Sequence, residues 1–367
     1  MGKLCVIYNS AAHYRGPVFL KMDEDFDIEW HFGTFASDSI KQMDISQLKN
    51  AKRHPTKYFK SWCWMPGYVS LLFNKDYDTF LALGETHNIS TIVFLILHKI
   101  FCKKKKVYFW THGFYGKETK VQMAMKKWMF KMVDGNFTYG QHSKDIMVKE
   151  GFNPDKIWPI HNSLNHAAQV KLRNLQKPSD VYSKHFGNDN PNLIFIGRLT
   201  PVKRLDQLID CLSELHKRGC KCNLTFIGGG EEMNSLQQKA KSMGLEKSIW
   251  FYGACYDDVI NAELVYNADL CVAPGNVGLT AMHCMVFGCP VVTHDNFAYQ
   301  MPEYEAIKEG KTGKFFRYMD IASMTNTVEE WISQNKDRRE EVRQSCYDEI
   351  DNYWTPEYQV KVLKKRL

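Results

Sequence analysis

The sequence predicts a parallel, doubly wound α/β fold in two domains, and three observations predict it. Short apolar runs end in glycine again and again: Leu193–Ile196 before Gly197, Leu224–Ile227 before Gly228, Trp250–Tyr252 before Gly253, and Thr79–Leu83 before Gly84. Helical periodicity follows the first two, with Leu205, Leu208, Ile209, Leu212 and Leu215 after one and Met233, Leu236 and Ala240 after the other. Uniformly apolar strands that alternate with helices at short spacing are the pattern of a parallel sheet covered on both faces. A length of 367 residues then holds two domains of ordinary size.

Composition limits the function classes. Hydrophobic content of 44% and charged content of 24% fit a globular protein rather than a disordered or fibrous one. Aromatic content of 13%, with 9 Trp, is high enough to serve either carbohydrate contact or large cores. The 11 cysteines are odd in number, scattered and without zinc-ligand spacing, as in a reduced, cytoplasmic protein. Lys3–Tyr8 already reads as the first strand, so no signal peptide is expected. No apolar run reaches the ~20 residues that span a bilayer. The net charge of +7 has no nucleic-acid recognition motif beside it, which argues against a nucleic-acid partner.

Along the first half, the loop after strand one, Asn9–Pro17, carries His13 and Arg15, which either touch an acceptor or phosphate or decorate a surface loop. Phe26–Phe32 alternates and reads as a strand, whereas residues 36–66 are polar and irregular. After Gly84, Glu85 lies at a strand mouth, and Asn88 or Ser90 is placed to cap a helix over Ile92–Ile100. Val107–Trp110 is the next strand and puts His112 at its carboxyl end, with Gly113 behind it. Lys103–Lys106 and Lys117–Lys131 are basic, and the second stretch interleaves Val121, Met125, Trp128, Met129 and Met132. Its two readings are a helix on an anionic membrane surface and a helix packed on its own sheet with a solvated basic face. Ser143 is placed to cap a helix over Lys144–Gly151, and residues 166–190 read as a polar interdomain crossing.

The second half carries the chemistry. After Gly197 a short turn holds Arg198 and Lys203, and a strand that ends in two cations before a helix suits a phosphate. Gly228, Gly229 and Gly230 follow the next strand. Ala268–Pro274 is another strand, succeeded by Gly275–Met282, and Gly288–Val292 another. Ile321–Ile350 reads as helical, and Thr355-Pro356 starts a terminal helix.

In their order, Gly-Arg-Leu-x3-Lys, Ile-Gly-Gly-Gly-x-Glu, Phe-x-Gly, Ala-Asp-x4-Pro, Gly-Leu-Thr and Gly-x-Pro-Val-Val resemble the donor domain of retaining GT-B glycosyltransferases of family four, over about Asn192–Phe316. The resemblance implies two Rossmann-like domains facing a cleft: an acceptor-side domain over 1–180, onto which a helix at 355–367 packs back, and a nucleotide-sugar domain over 181–350. It implies transfer of a sugar from a nucleoside-diphosphate sugar to a glycan or lipid-linked glycan, in polysaccharide biosynthesis. Arg198, Lys203 and His112 take catalytic places in that scheme. Gly197, Gly228, Gly230, Tyr256, Asn276, Gly278, Leu279, Thr280 and His283 take donor-binding places, and His13, Arg15 and Glu85 lie on the acceptor side. No cofactor or metal is implied. One departure stands out. Aligned on Gly278-Leu279, the two glutamates usual in the family fall on Gly275 and His283. His283 is expected neutral, in the first turn of a helix. Glu303 and Glu305 lack the spacing to stand in for the pair. The resemblance therefore leaves two functions open: a working transferase, possessing peripheral contact with the inner face of the cell membrane through Lys103–Lys106 and Lys117–Lys131, or a catalytically silent GT-B module that binds nucleotide sugar or a partner transferase. A sugar-nucleotide epimerase of the same shape fits the diphosphate-binding order less well.

Overall fold

The computed structural model describes residues 3–34 and 41–367. The chain divides into two compact units, Met1–Asn165 with Thr355–Leu367, and His166–Trp354.

In the first unit, β1 (Lys3–Tyr8), α1 (Gly16–Asp25), β2 (Ile28–Phe32) and β3 (Ala51–Arg53) lead to a small hairpin of β4 (Lys57–Phe59) and β5 (Trp62–Trp64). Then come β6 (Tyr77–Leu83), α2 (Ile89–Phe101), β7 (Lys106–Thr111), α3 (Lys120–Lys131), β8 (Gly135–Thr138), α4 (Gln141–Lys149) and β9 (Ile157–Pro159). The main sheet is parallel in the order β3-β2-β1-β6-β7-β8-β9. Residues 41–66, irregular by sequence, thus hold an edge strand and the hairpin. Asn88 caps α2 through Ser90 N, while the Ser90 hydroxyl meets Met65. Ser143 does not cap its helix. α4 starts earlier, after Gly140, and the Ser143 hydroxyl accepts from Phe114 N at 2.9 Å. The C-terminal helix, Pro356–Lys364, is capped by Thr355 and belongs to this unit. It buries Val360 and Leu363 in the cluster that holds Phe19, Trp30 and Trp110. A second cluster gathers Phe80, Phe94, Phe109 and Phe130 on another part of the sheet. Much of the aromatic content therefore fills cores.

The second unit opens with α5 (His166–Arg173) and α6 (Val181–Phe186). It continues with β10 (Asn192–Ile196), α7 (Leu205–Lys217), β11 (Asn223–Ile227), α8 (Met233–Ser242), β12 (Ile249–Gly253), α9 (Asp258–Asn267), β13 (Leu270–Ala273), α10 (Leu279–Met285), β14 (Val291–His294), β15 (Gly313–Phe316), α11 (Ile321–Asn335) and α12 (Arg339–Tyr353). Its sheet is parallel in the order β12-β11-β10-β13-β14-β15. The apolar face of α7 is wholly buried, which is why that periodicity was readable. The boundary lies at Asn165/His166 rather than at residue 180. The expected crossing is partly helical, and α5 is tied into the second unit by a bidentate Arg173–Asp351 pair at 3.0 and 2.8 Å.

Each sheet reverses its strand order once, between β1 and β6 in the first unit and between β10 and β13 in the second. Loops at the carboxyl ends of those strands splay apart and leave room for a ligand. Arg198 and Lys203 follow β10 and Gly275–Thr280 follow β13, while Asn9–Arg15 follow β1 and Glu85 follows β6.

Candidate functional site

At the reversal in the second unit, backbone is packed directly on backbone. Gly228 has a φ of +147°, and a Cβ there would overlap the Gly197 carbonyl. Gly230 stands in the same relation to the Leu199 carbonyl. The turns after β10 and β11 are also joined by Leu199 N donating to Gly229 O at 2.9 Å. A third close approach is at Gly275, where a Cβ would overlap the Val202 carbonyl while Gly275 N donates to Lys203 O at 2.9 Å. No side chain fits there without a shift of the backbone at Val202 and Lys203.

Lys203 is the hub. Its Nζ donates to Asn276 O at 2.7 Å and Asn276 Oδ1 at 2.9 Å, and lies 3.4 Å from Val277 O. Burial pushes the ammonium down to about 8, with Glu303 opposing and Arg198 reinforcing the shift. Arg204, next in sequence, has φ +54° and begins α7 in the left-handed region. Such a conformation costs on the order of 1 kcal/mol or more and is typical of functional turns. Arg198 is exposed and forms no ion pair among the described residues. Gly278, with φ +54°, precedes α10, and a Cβ there would lie 3.7 Å from Lys203 Nζ.

The remaining donor-side residues divide by environment. Thr280 is buried and its hydroxyl donates to Ile196 O at 2.8 Å, tying α10 to β10. Leu279 is the first residue of α10. His283 is pushed down, as expected, but the cause is burial. It lies in the last turn of α10, beyond the first turn assumed from sequence, so the helix dipole is not what keeps it neutral. Tyr256 is 94% exposed on the loop between β12 and α9. Gln300, unnoticed in the sequence, holds the Gly275–Gly278 loop from the far side. Its Oε1 accepts from Val277 N at 2.9 Å, and its Nε2 donates to Thr293 Oγ1 at 2.8 Å. Met301 packs against Gly278, and Glu303, only 2% exposed, is a charge neighbour of Lys203. Only the position of these residues just after a buried strand could have pointed to them.

In the first unit, Asn9 Nδ2 donates to Glu85 Oε1 at 2.9 Å, bridging the reversal between β1 and β6. Burial pushes Glu85 up to about 7, against the Asn9 hydrogen bond, and His87 Nε2 lies 3.5 Å from its other oxygen. Arg15 is not a surface residue of a loop. Its guanidinium is buried over the rings of Tyr8, Tyr14, Trp110 and Tyr139 and donates to the Tyr139 hydroxyl. No carboxylate forms an ion pair with it among the described residues. His112 packs on Tyr139 with ring centroids 4.5 Å apart and is held neutral, pushed down to about 3 by burial, Arg15 and Lys126. His13 is exposed, and its backbone N donates to Lys41 O at 2.8 Å. The basic helix α3 begins at Lys120 with a Thr119/Gln122 capping box. Its solvated basic face is partly illusory: Lys126 pairs with Glu118 and Lys127 with Glu150, each at 2.7 Å.

Against known proteins, the family model for glycosyl transferases group 1 matches residues 178–347, nearly all of the second unit. The second unit is similar to glycosyl transferases group 1 domains. Within the matched residues lie Arg198, Lys203, the glycine turns and the Gly275–His283 segment. The chain is similar to mannosylfructose-phosphate synthase of Agrobacterium fabrum, 29% identical over 166 residues, covering 42% of this chain and 33% of that protein. It is also similar to a GDP-mannose-dependent alpha-(1-6)-phosphatidylinositol monomannoside mannosyltransferase of Mycolicibacterium smegmatis, 26% identical over 150 residues and covering 38% of each. These matches thus span little more than a third of the curated relatives' length. The Anabaena protein HepE, solved in complex with UDP, matches 99% of both chains with a TM-score of 0.73 and 16% identity. The chain has the GT-B fold.

Proposed function

We propose that this chain transfers a glycosyl group from a nucleoside-diphosphate sugar to a hydroxyl of a glycan or lipid-linked glycan, with retention at the anomeric carbon, as a step of polysaccharide biosynthesis. The observation that carries the reading is Lys203, a desolvated ammonium at the strand-order reversal of the second unit, with the uncompensated Arg198 on the same turn. In the step, the bond between the anomeric carbon and the diphosphate oxygen breaks, and its electron pair stays on the phosphate. The acceptor oxygen bonds to that carbon from the same face, and its proton passes to the departing phosphate oxygen. Charge builds on the leaving group, so preorganised cations are the main requirement. Lys203 and Arg198 meet that charge, and the backbone at Gly197, Gly228 and Gly230 lets the diphosphate approach closely. Asn276, Gly278, Leu279 and His283 contact the donor, Tyr256 lies toward the base, and Thr280 acts through the position it gives α10. Neutral His112 offers a hydrogen bond to a sugar hydroxyl. Glu85, Arg15 and His13 form the acceptor side, with Glu85 poised near neutral pH.

The similar proteins support a nucleotide-sugar donor but differ in nucleotide, GDP-mannose in one name and UDP in another. The leaving charge is assigned to side chains, so chelation with EDTA should leave turnover unchanged. The acceptor is placed at the inner face of the cell membrane, where lipid-linked glycans are extended. Among the described residues no helix is long and apolar enough to cross a membrane.

One observation favours a second reading, a catalytically silent module that binds nucleotide sugar: Gly275 admits no side chain without a shift of the backbone at Val202 and Lys203. A thermal-shift screen with UDP, GDP, ADP, CMP and their sugar conjugates, followed by assay of sugar release from any stabilising donor, separates the two. Stabilisation with slow sugar release supports transfer. Stabilisation without turnover, even with acceptors, supports the silent module, and no shift with any nucleotide defeats both.

A further inference from the structure

We infer that the carboxyl end of α2, with the 3-10 turn Val69–Phe73 beside it, is a docking face for an anionic phospholipid bilayer. The sequence of α2, ISTIVFLILHKIF, is apolar on every side. A helix on the face of a sheet needs only one apolar stripe, and Thr91, Phe94, Leu95 and His98 supply it here. The excess faces water. Phe101 is 67% exposed, Ile100 58% and Phe73 52%, with Ile96 also exposed. Ile96, Lys99 and Ile100 fall at i, i+3 and i+4, so a cation and apolar tips share one side, and Lys103 and Lys104 follow in the turn just past the helix. The turn is fastened to the same end, because Cys102 Sγ reaches Leu72 O and Lys105 Nζ donates to Asn74 O.

The charges name the occupant. Lys99, Lys103 and Lys104 are exposed, and none forms an ion pair among the described residues. An apolar tip ringed by unpaired lysines is complementary to a surface with an apolar interior and anionic headgroups. A second copy of the chain is a poor occupant, since a two-fold contact would set these lysines against their own images. The helix α3, the more basic stretch by sequence, is a weaker candidate, because Lys126 and Lys127 are already paired. The inference rests on the proposed lipid-linked acceptor only for its biological purpose. The face and its test do not depend on the donor.

The test is flotation of the full chain with phosphatidylcholine vesicles, with and without phosphatidylglycerol, at rising salt. The expected result is binding that needs phosphatidylglycerol and weakens with salt. An Ile100→Glu/Phe101→Glu variant should lose binding. Lys103→Glu/Lys104→Glu should weaken it at least about 25-fold, from about fivefold per lysine removed. Val121→Glu on α3 should leave it unchanged. All five positions are exposed, and circular dichroism with nucleotide binding verifies that each variant is folded. The inference is overturned if the folded wild type binds no vesicle, if Ile100→Glu/Phe101→Glu binds as tightly as wild type, or if Val121→Glu carries the loss. It is equally overturned if the α2 variants only convert a dimer to a monomer in sedimentation. A wild type that binds vesicles but no nucleotide leaves this face standing and defeats the transferase reading instead.

Discussion

If Lys203 meets the diphosphate as proposed, nucleotide binding depends on pH. The Lys203 ammonium sits at about 8 instead of the 10.5 of a free lysine, because it is buried with Arg198 on the same turn. The sign follows from linkage. A bound diphosphate adds negative charge beside the ammonium and raises its pKa, so binding takes up protons and tightens as pH falls through 8. If only the ammonium form binds, the competent fraction is about 0.9 at pH 7 and about 0.1 at pH 9, so affinity falls roughly tenfold across that interval. At pH 8 about half a proton is taken up per nucleotide bound. Isothermal titration of UDP, or of whichever nucleotide stabilises the protein, in buffers of different ionisation enthalpy reads both quantities. Glu303 holds the ammonium up, so Glu303→Gln should move the transition to lower pH. Lys203→Met should abolish the pH dependence along with most of the affinity. An affinity that stays level from pH 7 to 9, with no proton uptake at pH 8, would refute the placement of the diphosphate at Lys203.

Three further outcomes follow from the same geometry. Replacing Arg198 or Lys203 by alanine should lower turnover by about a hundredfold or more, the usual cost of removing a transition-state charge partner, and full activity in the double variant contradicts the assignment. Gly275→Ala should destabilise the protein by about 1–3 kcal/mol and weaken nucleotide binding, since its methyl group meets the Val202 carbonyl. Gly229→Ala, where only the Ala254 Cβ lies near, at 3.5 Å, should be tolerated, and equal denaturant midpoints for the two would contradict the packing. Glu85 is raised from 4.5 to about 7, so the unfolded chain loses its proton first and stability drops as pH rises between those values, by about 3 kcal/mol for an enclosed group. Glu85→Gln keeps the acceptor for Asn9 and should raise the melting temperature at pH 8 but not well below pH 4.5.

The sheet of the second unit was legible because its first three strands are apolar runs that end in or at glycine, and both signals are local. Its strand-end cations were legible for the same reason. What escaped depends on contacts between residues far apart in sequence. Arg15 reads as a loop cation, yet Trp110 and Tyr139 enclose it from strands more than ninety residues away. The lysines of α3 read as a free basic face because Glu150, across the fold, is not visible from their own helix. Gln300 and Glu303 carry no motif, and their part is set by the fold bringing them to Val277 and Lys203. Gly275 looked like a lost glutamate, and in the structure the Val202 carbonyl occupies the space a side chain would take. His283 was expected neutral for its place on a helix and is neutral for its burial, a distinction that sequence position alone does not make.

The decisive measurement is proton NMR of a nucleoside-diphosphate sugar incubated with the chain, following both release of the nucleotide and the anomeric signal of the sugar before it mutarotates. The account predicts slow release with the donor's anomeric configuration kept, accelerated by an acceptor and lost in the Arg198→Ala/Lys203→Ala variant. Release with inverted configuration would contradict the retaining step, and a nucleotide that binds at Lys203 without any sugar release would contradict catalysis altogether.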